Sequence, residues 1–466
     1  MDKQTGYYVE IPLAFFGMGF LRAWTETVYS NALVLFPSQD GTGFGLFTYD
    51  LIAAFVLFLM AFSAKRLVSL EGKKWPVPLT NILMTVSAFL TFLSIYLPQF
   101  AFGLGVVAVV CGGAGIAMIL LLWSELFSCL PPLKVGLYFA GSTLLGAFTL
   151  WFLKGLSVPW LFASACLLPS LSLFCLKRSF FYLGEGERPH PTWGERHFPW
   201  KPIAIVILYS FAYGLSENVF DDVLNIHSGF GCVAASLLVY GAIRKHTENF
   251  SFSFMYKIAC PCMIVSLIPF SLMFPFGGEV SAFFALASYT LILTAIMVIM
   301  SNLCYQYGFN AIWLFGIERA IRLLSVEAGN NVQKGLVFSF NNSLEINILI
   351  AAVIAILIVV ATKVFLSEAS LTSDWGATLR HINPDEISPS ERARIQEKCH
   401  SVGEAFNLTQ REEEVLVYLV EGKKAGEIAN EMCVAVSTVK THNKHIYQKL
   451  DIHSRKELCA LVGVEC

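Results

Sequence analysis

Apolar runs of about twenty residues recur from the N-terminus to residue 366, and they restrict the fold more than any other feature of the chain. A helix of that length matches the roughly 30 Å hydrocarbon core of a bilayer. Within lipid every backbone N–H and C=O must find a partner in its own structure, so serial runs of this kind fold as a helical bundle. The runs fall at Ile11 to Phe36, Phe44 to Ala64, Leu79 to Pro98, Phe100 to Trp123, Leu133 to Leu153, Pro159 to Leu176, Pro202 to Leu224, Phe230 to Ile243, Phe252 to Phe274, Val280 to Leu303, Gly308 to Leu324 and Leu344 to Leu366. They define an all-α fold with a twelve-helix transmembrane bundle, followed by a polar tail. Composition agrees: 56% of the 466 residues are hydrophobic and 14% charged, with a mean hydropathy of +0.62. The first run is too long for a cleavable signal, is interrupted by Arg22 and Glu26 and lacks a small-residue cleavage site.

Positive charge sets the expected orientation. Lys65, Arg66, Lys73 and Lys74 lie between the second and third runs. Lys177, Arg178, Arg188, Arg196 and Lys201 lie between the sixth and seventh, and Arg244, Lys245 and Lys257 between the eighth and ninth. The opposite connections carry almost none, Lys154 and Lys334 being the exceptions. An even number of spans with this bias places both termini in the cytoplasm of a multi-pass protein of the bacterial cytoplasmic membrane.

Polar side chains in the runs are costly and face a cavity or one another. The first run carries Arg22, Trp24, Glu26 and Asn31; the seventh Tyr213, Glu217, Asn218 and Asp221; the eleventh Asn310, Trp313, Glu318, Arg319 and Arg322. Two readings stay open. One is a small-molecule pocket lined by Arg22, Glu26, Glu217, Asn218, Glu318 and Arg319; the other is a set of interhelical ion pairs. Gly112-Gly113-Ala114-Gly115 in the fourth run reads as a close helix seam.

The tail has its own punctuation. Thr409 and Glu412 form a capping box, and Val415, Leu416, Leu419 and Val420 make an apolar stripe that stops at Gly422. Ile428, Ala429 and Met432 give a short second helix its inner face. Ser437 is the expected cap of a third helix, with Val439, His442, Ile446 and Leu450 inward and Lys440, Thr441, Lys444 and Gln448 outward. Ser454 and Glu457 open a fourth helix bearing Leu458, Leu461 and Val462. Helix, turn and exposed basic helix is an arrangement that places side chains in a DNA major groove. The block from Gly403 is slightly acidic, but its charge is polarised, with the basic residues gathered after Ser437.

The string Leu408-Thr409-Gln410-Arg411-Glu412-Glu413-Glu414-Val415-Leu416, then Gly422, Glu427-Ile428-Ala429, Ser437-Thr438-Val439-Lys440-Thr441-His442, Lys449-Leu450 and Ser454-Arg455 resembles the LuxR-type helix-turn-helix domain. The resemblance implies Lys440, Thr441 and Lys444 as base-edge or groove contacts, and Thr438, Lys423, Lys449 and Arg455 as phosphate contacts. It implies a dimer seam of Leu458, Leu461 and Val462, and as partners double-stranded promoter DNA, a second copy of the chain and RNA polymerase. Ahead of the tail, two sets of six spans about the polar stretch Lys177 to Lys201 resemble the major facilitator layout. The Asp and glycines of the transporters' loop signature are missing from Ala64 to Lys74. The combination is similar to membrane-embedded bacterial LuxR-family regulators.

Residues 1–366 are thus expected to be a polytopic sensor domain, 367–402 a linker with a helix begun by Ser388-Pro389-Ser390-Glu391, and 403–466 the DNA-binding domain. The twelve cysteines show no zinc or redox spacing, and Cys399, Cys433, Cys459 and Cys466 are expected to be free thiols. Gly422-Lys423-Lys424 lacks the remaining residues of a phosphate-binding loop, and no catalytic or metal-ligand constellation emerges. The expected function is a transcriptional regulator, not an enzyme, that needs no cofactor, senses a small molecule in the bilayer and binds promoter DNA. The alternative is a secondary transporter with a regulatory tail.

Overall fold

The structure, a computed structural model, describes residues 12–29, 33–34, 36–39, 46–183, 198–217, 228–245, 253–268, 277–340, 344–365, 389–432, 434–452 and 454–462. Its membrane part comprises α1 (Met18–Val28), α2 (Leu46–Phe62), α3 (Pro76–Tyr96), α4 (Ala101–Ser128), α5 (Pro132–Leu153) and α6 (Val158–Tyr182), then α7 (Trp200–Glu217), α8 (Ser228–Lys245), α9 (Ser253–Ser266), α10 (Gly277–Tyr307), α11 (Ala311–Phe340) and α12 (Leu344–Phe365). A single turn, Ala64–Leu67, follows α2. The tail holds α13 (Pro389–Ala405), α14 (Gln410–Val420), α15 (Ala425–Glu431), α16 (Val436–Lys449) and α17 (Arg455–Val462). No strand occurs among the described residues.

Five of the described helices are long and apolar enough to cross a bilayer: Pro76–Tyr96, Pro98–Ser128, Pro132–Leu153, Val158–Tyr182 and Gly278–Tyr305. Shorter apolar stretches run through α2, α7, α9 and α12. Their outer faces carry bare hydrophobics such as Phe55, Phe62, Phe174, Leu349 and Ile356, whereas Trp24, Trp123 and Phe315 are fully enclosed. An apolar exterior around an enclosed aromatic core is the pattern of a bundle solvated by lipid.

Helix pairing shows how the bundle is organised. In the first half α1 packs on α5 and α6, α4 on α2 and α3, and α3 on α6. In the second half α7 packs on α11 and α12, α10 on α8 and α9, and α9 on α12. The second set repeats the first, helix for helix. The halves meet reciprocally: α2 lies on α11 as α8 lies on α5, and α4 touches α11 as α10 touches α5. Paired repeats of this kind describe the two-bundle layout read from the sequence.

Glycines permit the tightest crossings. A Cβ at Gly214 of α7 would collide with the Val326 carbonyl of α11, and one at Gly329 of α11 would collide with the Phe211 carbonyl of α7. This mutual approach keeps α11 helical well past the expected end at Leu324, through the polar stretch Ser325 to Gln333. Ser325 and Glu327 are buried there, so a segment that looks like a loop by composition is held as helix by its neighbours. At the other end, the first expected span begins as a 3-10 turn, Leu13–Phe16, before the short α1. The seam at Gly112 to Gly115 is present: a Cβ at Gly113 would lie 2.8 Å from Ile52 of α2, and one at Gly115 would lie 2.6 Å from Met84 of α3.

The tail encloses a second hydrophobic cluster. Ile395 and Cys399 of α13 join Val415, Leu416, Leu419, Val420, Ile428, Val439, Ile446, Leu450 and Leu458. The connecting helix therefore packs on α14 and α17 as part of the same core. Residues 366–388, which join it to α12, lie outside the described residues.

Candidate DNA-reading face and intramembrane polar cluster

Local chemistry positions the tail helices. Thr409 N and its hydroxyl donate to Glu412 Oε2 at 2.8 and 2.9 Å, while Glu412 N donates to Thr409 Oγ1 at 3.4 Å. The expected capping box is therefore present and starts α14 at Gln410. At α17, Glu457 N donates to Ser454 Oγ at 3.2 Å and the Ser454 hydroxyl donates to Glu457 Oε1 at 2.8 Å. The third helix differs from expectation. It begins one residue before Ser437, with Ala435 as an N-cap that offers no side chain. The backbone closes this turn itself, with Thr438 N and Val439 N donating to Ala435 O at 2.9 and 3.3 Å.

Helix α16 has the expected sidedness. Val439, Ile446 and Leu450 are buried and His442 is half-buried, whereas Thr438, Lys440, Thr441, Lys444 and Gln448 are exposed. The Thr441 hydroxyl donates to Ser437 O at 3.0 Å, which uses the hydroxyl inside the helix. Lys440 and Lys444 stand one turn apart on the same face.

The other basic residues have partners within the domain. Lys449 Nζ donates to Glu412 Oε2 at 2.7 Å and to Asn407 O at 3.0 Å. Lys423 pairs with Glu421 at 3.4 Å and lies 4.7 Å from the Tyr418 ring centre. Arg455 donates to Leu419 O at the end of α14, satisfying a carbonyl that helix geometry leaves open. Lys449 and Arg455 thus clamp α14 to the helices after it, while Lys423 folds back on the end of α14. Burial disfavours ionisation of Glu412, but the Lys449 bond, the Thr409 bonds and the Lys449 charge outweigh it and hold the carboxyl at about 2. In α17, Leu458 and Val462 are packed into the domain's own core, and of the expected dimer seam only Leu461 is exposed. Two of the three residues that the resemblance offers for a seam thus fill the interior. Cys399 is a free, buried thiol pushed up to about 12 by burial and by Glu421 and Glu413. Cys459 is disulfide-bonded, contrary to the expectation of a free thiol; Cys433 and Cys466 lie outside the described residues.

In the membrane part, the expected pocket residues separate into groups. Arg22 of α1 donates to the buried Cys232 of α8, linking the two halves. Glu26 is half-buried on the same helix. On α11, Glu318 is 3% exposed and Arg319 6%. Glu318 pairs with Arg322 at 3.6 Å, and Arg322 donates to Tyr289 Oη at 3.2 Å. Tyr289 stacks on Tyr213 of α7 with ring centres 4.3 Å apart. Arg319 reaches across to Ser124 of α4. Glu217 ends α7 but its side chain lies outside the described residues, as do Asn31, Asn218 and Asp221. The described cluster thus holds an ion pair within α11, Glu318 with Arg322, and a cation, Arg319, that reaches Ser124 of the other half.

A second polar site escaped the sequence reading. Glu125 of α4 is 7% exposed and accepts from Leu70 N at 2.8 Å and Glu71 N at 3.0 Å. Asn310 Nδ2 donates to Val68 O at 2.8 Å while its Oδ1 accepts from Trp313 N at 3.0 Å, starting α11. These contacts fasten the α2–α3 loop to both halves around a cavity of about 60 Å³. The signal was a carboxylate at the end of an apolar run, which ending that run at Trp123 assigned to the following loop.

Residues 407–462 match the family described as bacterial regulatory proteins, luxR family. Within this region the chain is 48% identical over 50 residues to the HTH-type transcriptional regulator MalT of Yersinia pestis, covering 11% of this chain and 6% of that protein. It is 50% identical over 58 residues to the MalT of Vibrio campbellii, covering 12% of this chain and 6% of that protein. The likeness to these regulators is confined to the tail. The membrane part is similar in fold to the solved proton:xylose symporter XylE, a major facilitator superfamily protein, with a TM-score of 0.53 and 13% identity over 75% of this chain and 94% of that one. It is equally similar to a bacterial homologue of the iron transporter ferroportin in its outward-facing state, with a TM-score of 0.53 and 13% identity over 77% of this chain and 97% of that one. The chain therefore joins a C-terminal domain that matches the luxR family to an N-terminal membrane part with the major facilitator fold.

Proposed function

We propose that the protein is a bacterial membrane-embedded transcriptional regulator, in which the bundle senses a small molecule and α16 binds promoter DNA as part of a dimer. The observation that carries this reading is the exposed row of Thr438, Lys440, Thr441 and Lys444 on one face of α16, in a domain matched to the luxR family. Lysine donors read guanine O6 and N7, and the threonine methyl reads thymine. With Lys423, Lys449 and Arg455 already held inside the domain, the monomer has few cations for phosphate, and pairing of two heads supplies the remaining affinity. The loop charges support a reading with both termini in the cytoplasm, where the head would meet DNA and RNA polymerase. A ligand acts on this system only by preferring one of two arrangements of the bundle.

Selection of duplexes from a random pool by the full chain in lipid nanodiscs tests the proposal. A recovered motif that loses definition in Lys440→Ala supports it; a chain that enriches no sequence refutes it. A second reading, a transporter with a regulatory tail, is favoured by the likeness to two solved transporters. Counterflow in vesicles separates the two, because a sensor binds its ligand without accumulating it.

A further inference from the structure

Arg319 makes an incomplete set of bonds for a buried guanidinium. Its Nε donates to Ser124 Oγ at 3.3 Å, Nη2 lies 3.6 Å from Met297 Sδ, and its Cζ is 5.8 Å from the Phe315 ring centre. A guanidinium carries five N–H donors. Among the described residues these two hydrogen bonds are all it makes, and one of them goes to a weak sulfur acceptor. The adjacent carboxylate, Glu318, forms its ion pair with Arg322 at 3.6 Å, and no described carboxylate pairs with Arg319. Arg319 thus feels the Glu318 charge without a carboxylate bonded to it, and in a bilayer a buried cation left short of bonds marks a functional position.

The geometry points to Arg319 as the anchor of an anion site between the two halves, and to a small organic carboxylate as the molecule it takes. The inference rests on the sensor reading above. A carboxylate presents two oxygens that match the planar fork of guanidinium donors. Arg322 is occupied by Glu318 and Tyr289, so one guanidinium is offered to a ligand, which suits a monoanion, and Met297 and Phe315 beside it suit an apolar body. Because Ser124 belongs to α4 while Met297 and Arg319 belong to α10 and α11, an occupant touches both halves. That contact lets its binding favour one arrangement of the bundle over another.

The test is thermal unfolding of the full chain in nanodiscs with benzoate and with its neutral isostere benzamide. The wild-type protein is expected to show a saturable rise in Tm with benzoate and none with benzamide. Arg319→Gln should weaken the benzoate response about 10- to 100-fold. Arg319→Lys, which keeps the cation, should preserve the preference for benzoate at lower affinity. Equal responses to the two compounds, no benzoate response in the wild type, or an unchanged response in Arg319→Gln overturns the inference. Promoter occupancy measured in the same nanodiscs separates it from the sensor reading. Benzoate stabilisation without any change in DNA binding retains the anion site and rejects the sensor; DNA binding altered only by neutral compounds does the reverse.

Discussion

Replacing Glu412 with glutamine tests how the DNA-binding head is held together. Glu412 is 4% exposed and joins three parts of the domain: the Thr409 cap, Lys449 at the end of α16, and through Lys449 the Asn407 carbonyl. The folded carboxyl titrates at about 2 against an ordinary 4.5. That depression corresponds to about 3 kcal/mol at ~1.4 kcal/mol per unit. The 36% exposure of the Lys449 side chain screens the pair and reduces the figure to about 2 kcal/mol. Because the folded value is depressed, the contribution is complete above pH 4.5 and is lost as the pH falls toward 2. Glutamine can still cap Thr409, so Glu412→Gln removes mainly the charge. A fragment of residues 389–466 contains the whole second core, and its unfolding by heat or urea can be followed by circular dichroism. The variant should melt about 10 °C lower than wild type at pH 7, with the difference shrinking below about pH 4.5 and closing near pH 2. A difference of the same size at pH 7 and pH 3 refutes the electrostatic account. No difference at either pH removes Glu412 from the structural argument altogether.

The two kinds of lysine on α16 should separate in experiment. Lys440→Ala should change stability by less than about 0.5 kcal/mol while relaxing base preference, whereas Lys449→Ala should both lower the melting temperature and weaken DNA binding; parallel measurements of unfolding and duplex affinity decide. Arg455→Ala should lower the Tm because Leu419 O loses its donor, while leaving the slope of log affinity against log salt nearly unchanged, because the guanidinium is engaged within the head. His400 is raised above its ordinary range by its contacts with Glu413 and Glu404. The stabilisation is therefore present at low pH and lost as pH rises through the raised value, so the protection of α13 amides, taken relative to their intrinsic exchange rates at each pH, should fall over that window in wild type but not in His400→Gln.

The parts of this fold that were legible in the sequence are those determined within a few residues or by length. Thr409 with Glu412 and Ser454 with Glu457 mark helix starts because a side chain and an amide three residues apart satisfy each other, whatever surrounds them. Apolar runs mark bundle helices because the bilayer thickness sets their length. What remained hidden depends on partners distant in sequence. The helical state of Ser325 to Gln333 depends on Gly214 and Gly329 letting α7 and α11 touch. Lys449 looked free because Glu412, its partner, lies 37 residues earlier. Leu458 and Val462 are offered for a seam by the resemblance, and an apolar i, i+4 pair does not itself state whether its partner is the same chain or another. These corrections act together on the functional argument. Clamping Lys423, Lys449 and Arg455 within the head leaves Lys440 and Lys444 as the exposed cations of the reading face, and turning Leu458 and Val462 inward leaves Leu461 as the bare apolar residue of α17. On the proposed reading, a head with two cations on its reading face and one exposed large hydrophobic on α17, Leu461, pairs weakly by itself. Holding two copies in one membrane plane would raise their effective concentration without any new contact, and would give the bundle a physical role in the proposed DNA binding beyond carrying a signal.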